Sequence, residues 1–160
     1  MATLPQLVEQ DIQQLDEVLR EFLAHTDAAA ALIIDKGGFL ITHQGEGGQF
    51  DLTTLGALAS GAFLANQTIA HLVSEEHFNS IYQQGEKLSM FVVNVDEHCL
   101  LVVIFGTKAG IGVVKYYAGG TVKLIAQQLE EARARNPGAG FDLSALNVAN
   151  PQELFRKKEA

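Results

Sequence analysis

His71, Glu75, Glu76 and His77 are residue types that bind metal, and two of them can stand one helical turn apart. A zinc site needs three or four such ligands in a closing geometry, and no third and fourth ligand is spaced to complete one. A solvated helix end is the favoured reading. Gly106, Gly110 and Gly112, with Lys108 among them, follow an apolar strand and precede a helical pattern, as a phosphate loop would. The spacing fails, because a Walker loop places Lys-Ser/Thr directly after its final glycine and a dinucleotide fingerprint needs an acidic residue on a following strand. A tight strand-to-helix connection remains. The single cysteine, Cys99, lies in an apolar strand where a thiol is inert packing, and it can form neither an intramolecular disulfide nor a thiolate cluster. Serine, histidine and aspartate occur without a Gly-x-Ser-x-Gly elbow. No catalytic residue, cofactor site or metal site is therefore expected, and the chain does not read as an enzyme.

With chemistry set aside, binding is the remaining use of the surface, and residues 51–73 carry it. Leu52, Leu55, Ala59, Ala62, Ile69 and Leu72 approximate one helical stripe. Thr54, Ala57, Ser60, Gly61, Leu64, Gln67, Thr68 and His71 fall on the other side, and Asp51 is a good N-cap. Between Asp51 and Glu75 there is no Asp, Glu, Lys or Arg. A water-facing helix normally carries charge; a small, neutral face suits a second protein surface lying close against it. An inner core helix and a membrane span are the competing readings. The span is disfavoured because Thr53, Thr54, Ser60, Asn66, Gln67 and His71 would take polar groups into hydrocarbon.

The other elements follow from periodicity. Residues 4–25 repeat Val8, Ile12, Leu15, Leu19 and Phe22 on one stripe, a first helix with Thr3 as cap and Pro5 in its first turn. Residues 29–35 and 39–43 flank Lys36-Gly37-Gly38 as a hairpin, and 44–49 read as a flexible glycine-rich loop. A second β region begins at 81–86, and 88–95 and 99–105 flank the turn Asp96-Glu97-His98. The run Cys-Leu-Leu-Val-Val-Ile-Phe does not alternate, so both its faces should be covered and it should be central in the sheet. Residues 109–135 return to helix with Val114, Tyr117, Thr121, Ile125, Gln128 or Leu129, and Ala132 inward. Gly119 and Gly120 inside it predict a bend or a close helix contact. Asn136-Pro137-Gly138-Ala139-Gly140 ends that helix. A linker and tail, 136–160, carry a possible short helix from Pro151.

The whole-chain numbers bound the function. A length of 160 residues fits one domain, 1–135, plus the tail, and 48% hydrophobic with 19% charged residues is ordinary for a globular protein. A net charge of -8 with scattered Lys and Arg argues against nucleic acid. The N-terminus is acidic and periodic rather than basic and continuously apolar, so a cytoplasmic, not membrane-inserted, protein is expected.

The order helix, two strands, uncharged helix, three strands, helix resembles the roadblock / dynein light-chain family. The likeness spans roughly residues 4–135. It rests on Leu32-Ile33-Ile34-Asp35-Lys36-Gly37-Gly38-Phe39-Leu40-Ile41, on the uncharged helix, and on Leu101-Val102-Val103-Ile104-Phe105 leading to Ile111-Gly112-Val113-Val114-Lys115. Asp51-x-Thr53-x-Leu55 and a tail ending Glu153-Leu154-Phe155 are similar to the family's bacterial regulators of cell polarity and gliding motility. The resemblance implies a profilin-like α/β (α+β) sandwich with a five-stranded antiparallel sheet flanked by helices. It implies a homodimer joined sheet edge to sheet edge with the central helices side by side. It also implies that this platform receives a small Ras-like GTPase and stimulates GTP hydrolysis. Carried over, Ala57, Gly61, Leu64 and Thr68 become the partner-facing stripe; Thr54 and His71 extend it on the uncharged face, and Leu154, Phe155 and Arg156 are candidate tail contacts. No arginine lies between Arg20 and Arg133, so the helix and sheet offer no arginine finger, and activation by positioning is the expected mechanism. A dimeric adaptor without effect on hydrolysis and a small-ligand sensor are the other functions the fold class allows.

Overall fold

The structure, a computed structural model, describes residues 4–135. The elements run α1 (Glu9–Thr26), β1 (Ala30–Asp35), β2 (Leu40–Gly45), a 3-10 turn (Gly47–Gln49), α2 (Leu52–Leu72), β3 (Ser80–Gln83), β4 (Leu88–Asn94), β5 (Cys99–Gly106) and α3 (Ile111–Arg135). The five strands form one antiparallel sheet in the order β2-β1-β5-β4-β3. The continuous apolar run is indeed its middle strand. Alternation then distributes that strand between two cores: Cys99, Leu101, Val103 and Phe105 face α1 and α3, whereas Leu100, Val102 and Ile104 face α2. The result is a sandwich of two helices, sheet, and one helix.

Four local expectations are corrected. First, α1 starts at Glu9, not at residue 4; Pro5 is buried in a β-bridge and Leu4 and Leu7 pack on the core, so tertiary contacts hold this stretch extended. Its N-terminus is satisfied by Asp11, whose Oδ2 accepts the Val8 N–H at 2.8 Å. The expected cap, Thr3, lies outside the described residues. Second, residues 44–49 are not a loop: Gln44 and Gly45 complete β2 and a 3-10 turn follows. Gly45, at φ +100, lies where a Cβ would collide with the Ala29 carbonyl oxygen, so glycine alone allows β2 to close on the chain entering β1. Third, the strand expected over 81–86 spans Ser80–Gln83. Fourth, α3 is a single α-helix from Ile111 to Arg135, and a Cβ at Gly119 or Gly120 would meet nothing within 4 Å. Its inward stripe is Val114, Ala118, Thr121, Ile125, Leu129 and Ala132, with Tyr117 only half-buried. No second described helix presses on those glycines.

The first and last helices are tied at their ends. Asp11, fully buried, accepts from Gln128 Nε2 at 2.8 Å and from Arg135 at 2.9 Å, with a second Arg135 contact alongside. The Arg135 guanidinium holds the Asp11 carboxyl below the usual carboxylate range against the opposing effect of burial. The end of α3 is thereby fixed in place.

Candidate functional site

The site is built on α2. Asp51 caps it: one carboxylate oxygen accepts the Thr54 N–H at 3.1 Å and the other the Thr54 hydroxyl at 2.6 Å. Those bonds lower the Asp51 pKa and satisfy a donor that the first turn leaves open. The face toward the sheet consists of Leu52, Gly56, Ala59, Ser60, Phe63 and Ala70. This differs from the expected stripe. Ser60 is buried because its hydroxyl donates to the Lys36 carbonyl in the β1–β2 turn. Ile69 and Leu72, expected inside, are 47% and 79% exposed. Gly56 accounts for the rotation: a Cβ there would lie 3.2 Å from Ile34 Cγ2 and 3.4 Å from the Gly38 carbonyl oxygen, so the helix is seated backbone-close along that line. Gln67 anchors the C-terminal half by donating to the Phe78 carbonyl at 2.7 Å.

Seated in this way, α2 turns Thr54, Ala57, Gly61, Leu64, Thr68 and His71 outward, and all six are exposed. Their spacing of three and four residues aligns them on one stripe, about 26 Å long at 1.5 Å per residue. None is an Asp, Glu, Lys or Arg. A Cβ added at Gly61 would meet nothing, so the close approach this glycine permits is available to another molecule. Periodicity missed Leu58, Leu72 and Val73, which are 68%, 79% and 62% exposed. Leu58 and Ile69, eleven residues apart, share one flank. On that flank Leu55 and Leu58 border an apolar groove of about 760 Å³, closed by Phe50, Leu88, Met90 and Ile104 and by the β3–β4 turn. The signal for these residues was present in the apolar density of residues 52–73, where no charged side chain marks the outer face to orient the helix.

The charged and reactive groups lie elsewhere. Lys36 sits beside the other flank of α2 with its Nζ 5.8 Å from the centre of the Phe63 ring, and burial lowers its pKa. The described arginines are engaged on or beside the opposite helical layer: Arg20 with Glu17, Arg133 with Glu130, and Arg135 with Asp11. His71, Glu75, Glu76 and His77 are all exposed, with α2 ending at Leu72 between them, and no cluster of three metal-binding side chains occurs among the described residues. Cys99 is buried, and desolvation together with Asp96 and Asp35 pushes its thiol far up. The passage from Gly106 to Ile111 is a short strand-to-helix connection. No described helix is long and apolar enough to cross a membrane. The candidate tail contacts Leu154, Phe155 and Arg156 lie outside the described residues.

Residues 14–105 match the Roadblock/LC7 domain. No curated protein is significantly similar to the chain. Among solved structures it is similar to "MglB with tetrameric arrangement" at 32% identity and a TM-score of 0.76, covering 82% of this chain and 99% of that one. It is similar in the same proportions, with a TM-score of 0.75, to the gliding protein MglB of Thermus thermophilus. The backbone also resembles Acanthamoeba castellanii profilin IA, at 15% identity and a TM-score of 0.51 over 73% of this chain and 97% of that one, a likeness of fold.

Proposed function

This chain belongs to the Roadblock/LC7 domain family, and on that premise we propose that it is a homodimeric, cytoplasmic regulator of a small Ras-like GTPase of the MglA type, acting in bacterial polarity or motility control. The observation that carries the proposal is the outward stripe Thr54, Ala57, Gly61, Leu64, Thr68 and His71: exposed, uncharged and small enough at Gly61 for a second backbone to approach. Such a surface gives shape and desolvation rather than ion pairing.

The dimer accounts for what the stripe leaves uncovered. β3 is an edge strand of four residues, and the flank beside it presents Leu58 and Ile69 and the apolar groove. A second copy pairing at β3 would lay its own α2 along this flank and extend the sheet, removing both the open edge and the exposed apolar side chains from water. The two stripes then form one platform.

Catalysis in this reading belongs to the GTPase. An arginine finger has to reach the transferring phosphoryl group, and the described arginines lie beside the opposite helical layer in ion pairs. The platform instead selects the switch arrangement in which the GTPase's own residues orient the attacking water, which lowers the barrier by positioning. The test is single-turnover GTP hydrolysis by an MglA-type GTPase titrated with this protein. Saturable acceleration with an end point of one dimer per GTPase is expected. Binding without acceleration would replace the activator by a dimeric adaptor, and absence of binding would refute the platform.

A further inference from the structure

The outer face of α3 is used neither by the fold nor by the proposed platform. It carries Val113, Tyr116 and Leu124, which are 44%, 78% and 48% exposed. The Tyr116 ring stands at 90° to that of Tyr117 with the centroids 5.1 Å apart, a contact that holds it upright on the helix without burying it. Between the tyrosine and the leucine lie Gly119 and Gly120, both exposed. Glycine weakens a helix interior, and no described element comes within 4 Å of either Cβ position to require it. The charges are ordered about the same point. Tyr116 stands three positions before Gly119 and Lys123 three after Gly120; Lys108 stands eleven before Gly119 and Glu131 eleven after Gly120. Lys108, Lys123 and Glu131 are exposed, and none of them is in an ion pair among the described residues. Glu131 accepts one hydrogen bond of 3.4 Å from Gln127, whereas Glu130 is taken by Arg133 and Arg135 by Asp11. Helical spacing puts Lys115 on the flank of α3 away from Val113 and Leu124.

We propose that a second copy of this chain packs on this face, its α3 running antiparallel to the first about a two-fold axis at Gly119–Gly120. A two-fold axis sets each residue opposite the one equidistant beyond the axis. Lys123 of each copy then lies over the Tyr116 ring of the other, and Lys108 of each meets Glu131 of the other. Val113 and Leu124 leave water in the same contact. The bare backbone at the axis lets the two helices approach at the short end of the usual range of about 8–10 Å. Within one chain Lys108 and Glu131 are separated by about 30 Å of α3, so they can pair only between copies. A second copy is the occupant that supplies both halves of this complementarity. One helix on one helix falls below the roughly 1,200 Å² of a standard interface, so the association is weak and depends on concentration. Because α1 and α3 lie across the sheet from α2, it leaves the stripe open and stands independently of the GTPase reading.

The test is sedimentation velocity of the full chain at low salt, from micromolar to millimolar concentration and without any GTPase, so its failure leaves the hydrolysis experiment untouched. A reversible doubling of mass in the upper part of that range is expected. Lys108→Glu and Glu131→Lys, each setting like charges opposite one another twice, should weaken this step by at least about fivefold, and the two together should restore it to within about twofold. Gly120→Leu, at a position open in the single copy, should leave the circular dichroism and melting of the fold intact and abolish the step. None of these positions lies on α2 or β3, so the step is distinguished from the dimer proposed above. No doubling at millimolar concentration, single charge reversals without effect, a double reversal that fails to restore association, or a doubling that survives Gly120→Leu would each overturn the proposal.

Discussion

Replacing Gly61 by arginine separates the fold from the interface, because the two respond with opposite signs. Gly61 is exposed in the interior of α2, and a Cβ there meets no atom within 4 Å. Glycine is about 0.8–1.0 kcal/mol worse than alanine inside a helix, and arginine is close to alanine, so the isolated fold should gain about 0.8 kcal/mol. For a domain of this size that raises Tm by about 2–3 °C. In the proposed complex, where a GTPase backbone would come close at this position, the same side chain overpacks the contact at about 1–3 kcal/mol and buries an unpaired charge in addition. Kd should therefore weaken by about 10–100-fold or more. Gly61→Ala should give the same rise in Tm with a much smaller loss of affinity. Differential scanning calorimetry, light scattering for the dimer, and calorimetric titration of a GTPase loaded with a non-hydrolysable nucleotide read the three quantities. An unchanged Kd would refute the platform, and a variant that lost its dimer would place Gly61 in the seam between the copies instead.

Three further predictions address the frame. Gly119→Ala and Gly120→Ala, each with open space at Cβ, should stabilise α3 by about 1 kcal/mol apiece, seen as additive shifts in the urea midpoint; destabilisation would reveal a packing role for the bare backbone. Asp11 has a folded pKa below its ordinary 3.8, so its contribution is complete above that value and is lost as pH falls through the folded pKa. Asp11→Asn should consequently lower stability at pH 7 and flatten the acid limb of a stability–pH curve, and an unchanged limb would exclude Asp11 from acid unfolding. Cys99 should not react with a thiol reagent at pH 8 until the chain is unfolded, and rapid reaction of the folded protein would contradict its burial.

What could be read in advance follows from where the determinants are local. The middle strand announces itself because burial on both faces erases alternation, and the Asp51 cap because its acceptors are three residues from their donor. The outward residues of α2 were legible as an absence of charge. Its rotation was not, since Ser60 turns inward for a carbonyl 24 residues away and Gly56 seats the helix against Ile34, contacts that leave no trace in periodicity. The start of α1 was missed for the same reason. Leu4, Pro5 and Leu7 obey packing against the core, and Asp11 is held by Arg135 from 124 positions further on.

The neutrality of the α2 stripe has a kinetic consequence. In the proposed platform the stripe itself adds no Asp, Glu, Lys or Arg to steer an approaching protein, so the ionic-strength dependence of encounter would come from the chain's net charge of -8, and exchanging one neutral stripe residue for another should leave the association rate nearly unchanged. Residence time then rests on dissociation alone. Under the proposed function the complex is tuned through its lifetime, and neutral substitutions along the stripe should be felt in how long the partner stays, hardly at all in how fast it arrives.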